Sequence, residues 1–195
     1  MQGKDALIIV DVQNDFCPGG ALPVSDGHLV VPPINRYIER FRQAKLPIIA
    51  TRDWHPRETS HFNTGGGVWP PHCVQETKGA QFHPELALPD DAVIVSKGMG
   101  YDEDSYSGFQ GADANGVPLA DLLLQLGAGR LYVGGLATDY CVKHTVLDGL
   151  IKGFQVMLLE DAIRGVELQP GDSERAVEEM VRAGAERKNL SHVGL

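Results

Sequence analysis

The chain has 195 residues, with 17 Lys+Arg against 26 Asp+Glu and a formal charge of −9 at pH 7. A composition of 43% hydrophobic and 22% charged residues excludes disordered and fibrous classes, and the length suits a single domain, residues 1–195, whose core needs no staples. The acidic balance argues against nucleic-acid or anionic-membrane binding, and no apolar run approaches the roughly 20 residues that cross a bilayer.

In chain order, residues 6–10 are a continuous apolar run, too short for a signal-peptide core, and lead directly into Asp11. A helix is predicted over 31–44. Val31, Ile34, Tyr37, Ile38 and Phe41 share one face, Arg36, Glu39, Arg40 and Arg42 fill the other, and Pro32 and Pro33 suit its start. Strand 47–50 comes next, then a long stretch, 51–91, rich in Gly, Pro, His and aromatics. Strand 92–95 precedes a second such stretch, 98–117. Loops of this length in a compact domain are usually functional. Helix 118–126 closes at Gly127, and strand 130–134 leads to helix 139–152, with Thr138 as cap and Gly153 as stop. Strand 155–159 and helix 173–183, capped by Asp172 and ended by Gly184, complete the pattern. Strands that are apolar throughout are buried on both faces. Their alternation with helices predicts an α/β domain with a mostly parallel sheet and helices on both faces.

Ligands of such sheets bind beyond the carboxyl ends of the strands. Asp11 comes after the first strand, Asp53 and His55 after the second, Lys97 after the third and Cys141 after the fourth. Alone, each has a bland reading as a cap, a solvated strand end or a small buried thiol. Their arrival at one edge favours chemistry. Cys141 falls near the start of a helix, where backbone N–H groups and the helix dipole favour a thiolate and can cradle an oxyanion, while Asp139 acts in the opposite sense. None of the seven histidines is placed as its base, which leaves Asp11 and Lys97. A carboxylate desolvated at a strand end gains proton affinity, and Lys97 would hold it. Asp53, His55, His61 and His72 lie within twenty positions, a donor set suited to one divalent transition metal, Zn, Fe or Mn. His28, His83, His144 and His192 lack such company and read as structural or solvated. Phe16, Trp69 and Tyr106 are either core residues or stacking walls for a flat ring at the same edge. The glycines at 65–67 lack the context of a phosphate loop. The three cysteines are far apart in sequence, which argues against a disulfide scaffold and for a reducing, cytoplasmic setting.

The segments Asp11-Val-Gln-Asn-Asp-Phe16, Asp53-x-His55, Trp69-Pro-Pro-His72-Cys73, Lys97-Gly98, Tyr106-Ser-Gly-Phe109 and Gly135-Leu-Ala-Thr-Asp-Tyr-Cys141 together resemble the nicotinamidases of the isochorismatase-like cysteine hydrolase superfamily. The resemblance runs from about residue 5 to 185 and implies a doubly wound α/β sheet. It implies Cys141 as nucleophile, Asp11 as proton shuttle and Lys97 as electrostatic partner. Asp53, His55 and His72 match the family's metal ligands, and His61 a fourth that some members use. Phe16, Trp69 and Tyr106 match ring-pocket positions. A cis peptide is implied before Ala137, whose N–H would form an oxyanion hole with that of Cys141. The implied substrate is nicotinamide, hydrolysed through a thioester, with pyrazinamide as a second substrate. An aspartate-nucleophile phosphatase would want a second Asp where Gln13 stands. A metal hydrolase using activated water would make the thiol incidental, and a pure binding protein would make the whole set ornamental. Cys17 and Cys73 are assigned no chemistry.

Overall fold

The computed structural model of the chain describes residues 3–103 and 105–192. In β1 (Lys4–Val10) every residue after the first is buried, as expected of a strand covered on both faces. Ala6, Ile8 and Val10 enter one apolar cluster, and Leu7 and Ile9 the other. This is the period-two alternation of a strand between two layers. Helix α1 (Val31–Gln43) covers the Leu7/Ile9 face with the predicted stripe of Val31, Ile34, Tyr37, Ile38 and Phe41. Helices α2 (Leu119–Gln125), α3 (Lys143–Ile151) and α4 (Asp172–Arg182) cover the opposite face through Leu119, Leu123, Val146 and Met180.

The other strands are β2 (Ile48–Asp53), β3 (Val93–Lys97), β4 (Ala128–Leu136), β5 (Gln155–Arg164) and β6 (Glu186–Lys188). They form one parallel sheet in the order β3-β2-β1-β4-β5-β6. This is a doubly wound α/β sheet, and its order reverses between β1 and β4, where such folds open a crevice at the strands' carboxyl ends. Among the described residues no helix is long and apolar enough to cross a membrane.

Several boundaries differ from those read in the sequence. Strand β5 continues past 159 through Glu160 and Asp161. The latter is tolerated because it accepts the Tyr37 hydroxyl at 2.7 Å and the Leu190 N–H at 3.0 Å. Strand β6 carries only Glu-Arg-Lys and offers no apolar signal. Thr138 does not cap α3. It begins a π-helical turn, Thr138–Val142, whose Tyr140 and Val142 N–H groups donate to the Ala137 carbonyl. Asp172 lies inside the first turn of α4 with Gly171 ahead of it, and its carboxylate accepts the Gln169 N–H.

Candidate active site

Sheet register assembles the site. Asp53 is paired with Lys97 across β2 and β3, and Val10 with Gly135 across β1 and β4. The residues just beyond β1 and β4 therefore emerge side by side. Asp11 leaves β1 in the left-handed region (φ 48°), a conformation uncommon outside Gly, Asn and Asp. Its Oδ1 accepts the Thr51 hydroxyl at 2.7 Å, and its Oδ2 lies 2.9 Å from Lys97 Nζ. The same ammonium bonds Asp53 Oδ1, donates to the Ser105 carbonyl at 3.0 Å and lies 3.5 Å from Cys141 Sγ. Asp11, Lys97 and Cys141 are all buried.

Burial dominates the charge states. It raises the proton affinity of Asp11, against the pull of Lys97. It also pushes the Cys141 thiol well above its ordinary range, with Lys97 again opposing. Burial disfavours the Lys97 cation, but Asp11 and Asp53 outweigh that effect and hold the ammonium charged. Burial likewise opposes the charge of Asp53, and there Lys97 wins, keeping the carboxyl below the usual range. The resting site is thus a neutral thiol beside a basic carboxylate, with a fixed cation between two aspartates.

Carboxylate oxygens of Asp11 and Asp53 and the Cys141 sulfur all lie within 4.8 Å of one another, but this is no metal cradle because the Lys97 ammonium already contacts all three. A different cluster fits a metal. His55, His61 and His72 each offer a ring nitrogen within 4.8 Å of the other two. His55 Nδ1 pairs with the Gly98 carbonyl at 2.9 Å and His72 Nδ1 with the Pro70 carbonyl at 2.8 Å. Both are donors there, which leaves each Nε2 lone pair for a ligand, the usual outer-shell arrangement of metal-binding histidines. His55 Nε2 is buried without a hydrogen-bond partner, 3.8 Å from Asp53 Oδ2. Burial lowers the His72 pKa to about 4, so its ring is neutral at pH 7. Three imidazoles beside a carboxylate suit an ion such as Zn²⁺ or Fe²⁺. Asp53 stands at the edge of this group, with one oxygen committed to Lys97 and the other facing His55.

A cavity of about 520 Å³, mouth included, joins the two clusters. Cys141, Asp53, His61 and His72 line its polar end, and Phe16, Leu22, Val24, Trp69, Tyr106, Tyr140 and Val166 its apolar walls. Trp69 Nε1–H donates to the Tyr106 hydroxyl at 3.1 Å. Ala137 also lines the cavity, and the Leu136–Ala137 peptide is cis. Sequence reasoning places His144 among the isolated histidines; instead it stacks on Tyr106, with centroids 5.4 Å apart. The side chain of His192 lies outside the described residues.

Several supports escape sequence reasoning. The buried Gln13 carboxamide grips the Asp53 backbone like an added strand, accepting its N–H at 2.8 Å and donating to its carbonyl at 2.8 Å. Thr51 anchors Asp11. Asp139 does not oppose the thiol at close range, because both its oxygens accept backbone N–H groups of Val166 and Glu167. The available signal is a polar residue within two or three positions of each motif carboxylate or thiol.

A cysteine, a carboxylate and a lysine at the switch point of a parallel sheet, beside a histidine cluster, define the class. The chain belongs to the isochorismatase family, whose domain matches residues 5–187. Among curated relatives, it is 42% identical to the nicotinamidase of Escherichia coli (strain K12) over 196 residues, covering 92% of each chain. It is 40% identical to the nicotinamidase/pyrazinamidase of Mycobacterium tuberculosis over 184 residues, covering 93% of this chain and 96% of that one. The crystal structure of Pyrococcus horikoshii pyrazinamidase in complex with zinc superposes with a TM-score of 0.89 at 47% identity, covering 96% of this chain and 99% of that one.

Proposed function

We propose that this protein is a nicotinamidase that hydrolyses nicotinamide to nicotinate and ammonia, and accepts pyrazinamide as well. The observation that carries the reading is one apolar-walled cavity lined both by Cys141 and by His61 and His72 of the histidine cluster. The relatives named above support the same substrate. The protein acts as one domain over residues 1–195, in the cytoplasm, where its thiols stay reduced.

In this reading Asp11 takes the Cys141 thiol proton as the sulfur attacks the carboxamide carbon. The developing oxyanion is held by the Ala137 and Cys141 N–H groups. Asp11 then returns the proton to the departing ammonia, leaving a nicotinoyl thioester. Water deprotonated by Asp11 attacks the thioester, and the proton goes back to sulfur as nicotinate leaves. Lys97 keeps its proton throughout and steadies the negative charge that passes between Asp11 and Cys141. Phe16, Trp69 and Tyr106 hold the ring so that the carboxamide faces the sulfur. His55, His72, His61 and Asp53 would hold one Zn, Fe or Mn ion, which when bound supplies a Lewis-acid anchor for the ring nitrogen.

The test is ammonia release from nicotinamide by purified protein, before and after chelation and with each metal added back. Release that chelator removes and metal restores is expected. No release with any of the three metals refutes the reading.

A further inference from the structure

One buried carboxylate in the turn that carries Cys141 has no part in that chemistry. Asp139 lies in the π-helical turn two residues before Cys141. Its Oδ1 accepts the Val166 N–H and its Oδ2 the Glu167 N–H, each at 2.9 Å. Both donors belong to the segment joining β5 to α4, and Val166 forms part of the apolar wall of the ring cavity.

Three features hold that segment in one shape. Glu167 has left-handed backbone (φ 56°), which costs a residue with a Cβ about 1 kcal/mol and so needs outside support. Its own carboxylate accepts the Gly171 N–H at 2.9 Å and the Ser173 N–H at 2.7 Å, tying the segment to the start of α4. Gly165 allows the close seating, because a Cβ there would fall 1.8 Å from Ser173 Oγ and 3.2 Å from Asp139 Oδ1. Two carboxylates in series thus fix the Val166 side chain relative to the turn that carries Cys141.

We propose that Asp139 is a positioning residue which, through Val166, sets the steric limit of the ring cavity and selects unsubstituted over alkyl-substituted ring amides. The inference deepens the nicotinamidase reading and rests on it. A hydrophobic wall discriminates a single extra methyl group by roughly tenfold or more, provided that it cannot retreat. Asp139 and Glu167 are what prevent the retreat.

The test compares kcat/KM for nicotinamide, 5-methylnicotinamide and 6-methylnicotinamide in metal-loaded parent, Val166→Ala, Asp139→Asn and Glu167→Gln proteins. Val166→Ala should raise the ratio for at least one methylated substrate over nicotinamide by about tenfold. Asp139→Asn places an amide NH₂ against a backbone N–H, and should shift the ratio in the same direction, mainly through a higher KM for nicotinamide. Glu167→Gln should shift it less, and carries the test of the clamp if Asp139→Asn fails to fold. The alkylation rate of Cys141 by iodoacetamide should stay close to the parent's in all three. Unshifted ratios in Val166→Ala, or in both clamp variants, overturn the inference. So does a uniform loss on every substrate with collapsed alkylation, since Asp139 would then merely support the turn. Absence of parental turnover overturns the functional reading and the inference with it, whereas parental turnover with unshifted ratios overturns the inference alone.

Discussion

Replacing Gly98 with alanine tests how the histidine cluster is held. Gly98 has φ 64°, and an added Cβ would lie 2.5 Å from His55 Cε1 and 2.7 Å from Nδ1. Carbon atoms in contact sit near 3.5 Å, so the ring would have to retreat by about 1 Å. Retreat breaks the 2.9 Å bond between His55 Nδ1 and the Gly98 carbonyl, and swings Nε2 away from His61 and His72. The left-handed backbone adds roughly 1 kcal/mol for alanine. Loss of an outer-shell partner typically costs 10–100-fold in metal affinity, about 1.4–2.8 kcal/mol. Zinc affinity, measured by competition with a chromophoric chelator, should therefore fall by at least about tenfold. The melting temperature of the metal-free protein should drop by about 2–4 °C. A folded Gly98→Ala protein with parental zinc affinity would refute the reasoning, because the ring would then have an alternative position that the close approach denies.

Cys141→Ala should abolish ammonia release while nicotinate still quenches Trp69 fluorescence; residual turnover at parental rate would remove the sulfur from the mechanism. Burial raises the Cys17 thiol to about 11 from an ordinary 9.0. Between those values the unfolded chain binds fewer protons than the folded one, so stability falls as pH rises through that window and is unaffected by this group below it. Urea midpoints measured from pH 8 to 11 should show this slope, and Cys17→Ala should flatten it. Tyr37→Phe leaves Asp161 Oδ1 without the hydroxyl that donates to it at 2.7 Å. That change should cost about 1.5–3 kcal/mol in urea denaturation without altering turnover, and a loss below ~0.5 kcal/mol would mean that water replaces the hydroxyl.

The sheet is readable because its central strands are apolar on both faces, and the main site residues because each stands at or just beyond the end of such a strand. Asp11, Lys97 and Cys141 are separated by 44 or more positions, yet parallel strands in register deliver them to one edge whatever lies between. Strand β6 is invisible because three charged residues carry no periodicity. The helix over 139–152 is legible but its start is not, since a π-helical turn has the same composition as an α-helical one. The supporting shell is harder still. Gln13 meets Asp53 across 40 positions, and Tyr106 meets His144 across 38, through side-chain contacts that depend on how two long irregular stretches fold back. Composition marks such stretches as functional without saying which polar group turns inward.

The need for a lysine at the centre comes from its donor count. An ammonium has three N–H groups and no acceptor. In this site they meet Asp53 Oδ1, the Ser105 carbonyl and the Cys141 sulfur, while Asp11 Oδ2 lies 2.9 Å from Nζ as an ion pair. Lys97 donates to the sulfur at 3.5 Å and has no acceptor, so it cannot take the thiol proton itself. In the proposed mechanism the proton on sulfur therefore goes to a carboxylate. Asp11 is the one available, because Asp53 is held ionised by the same ammonium and turns its second oxygen toward His55. A guanidinium would bring five donors in a fixed plane, with no arrangement that satisfies these acceptors around one point. Asp53 thus separates the two halves of the site, neutralising the cation on one side and facing the histidines on the other, which in the proposed mechanism leaves the proton traffic to Asp11.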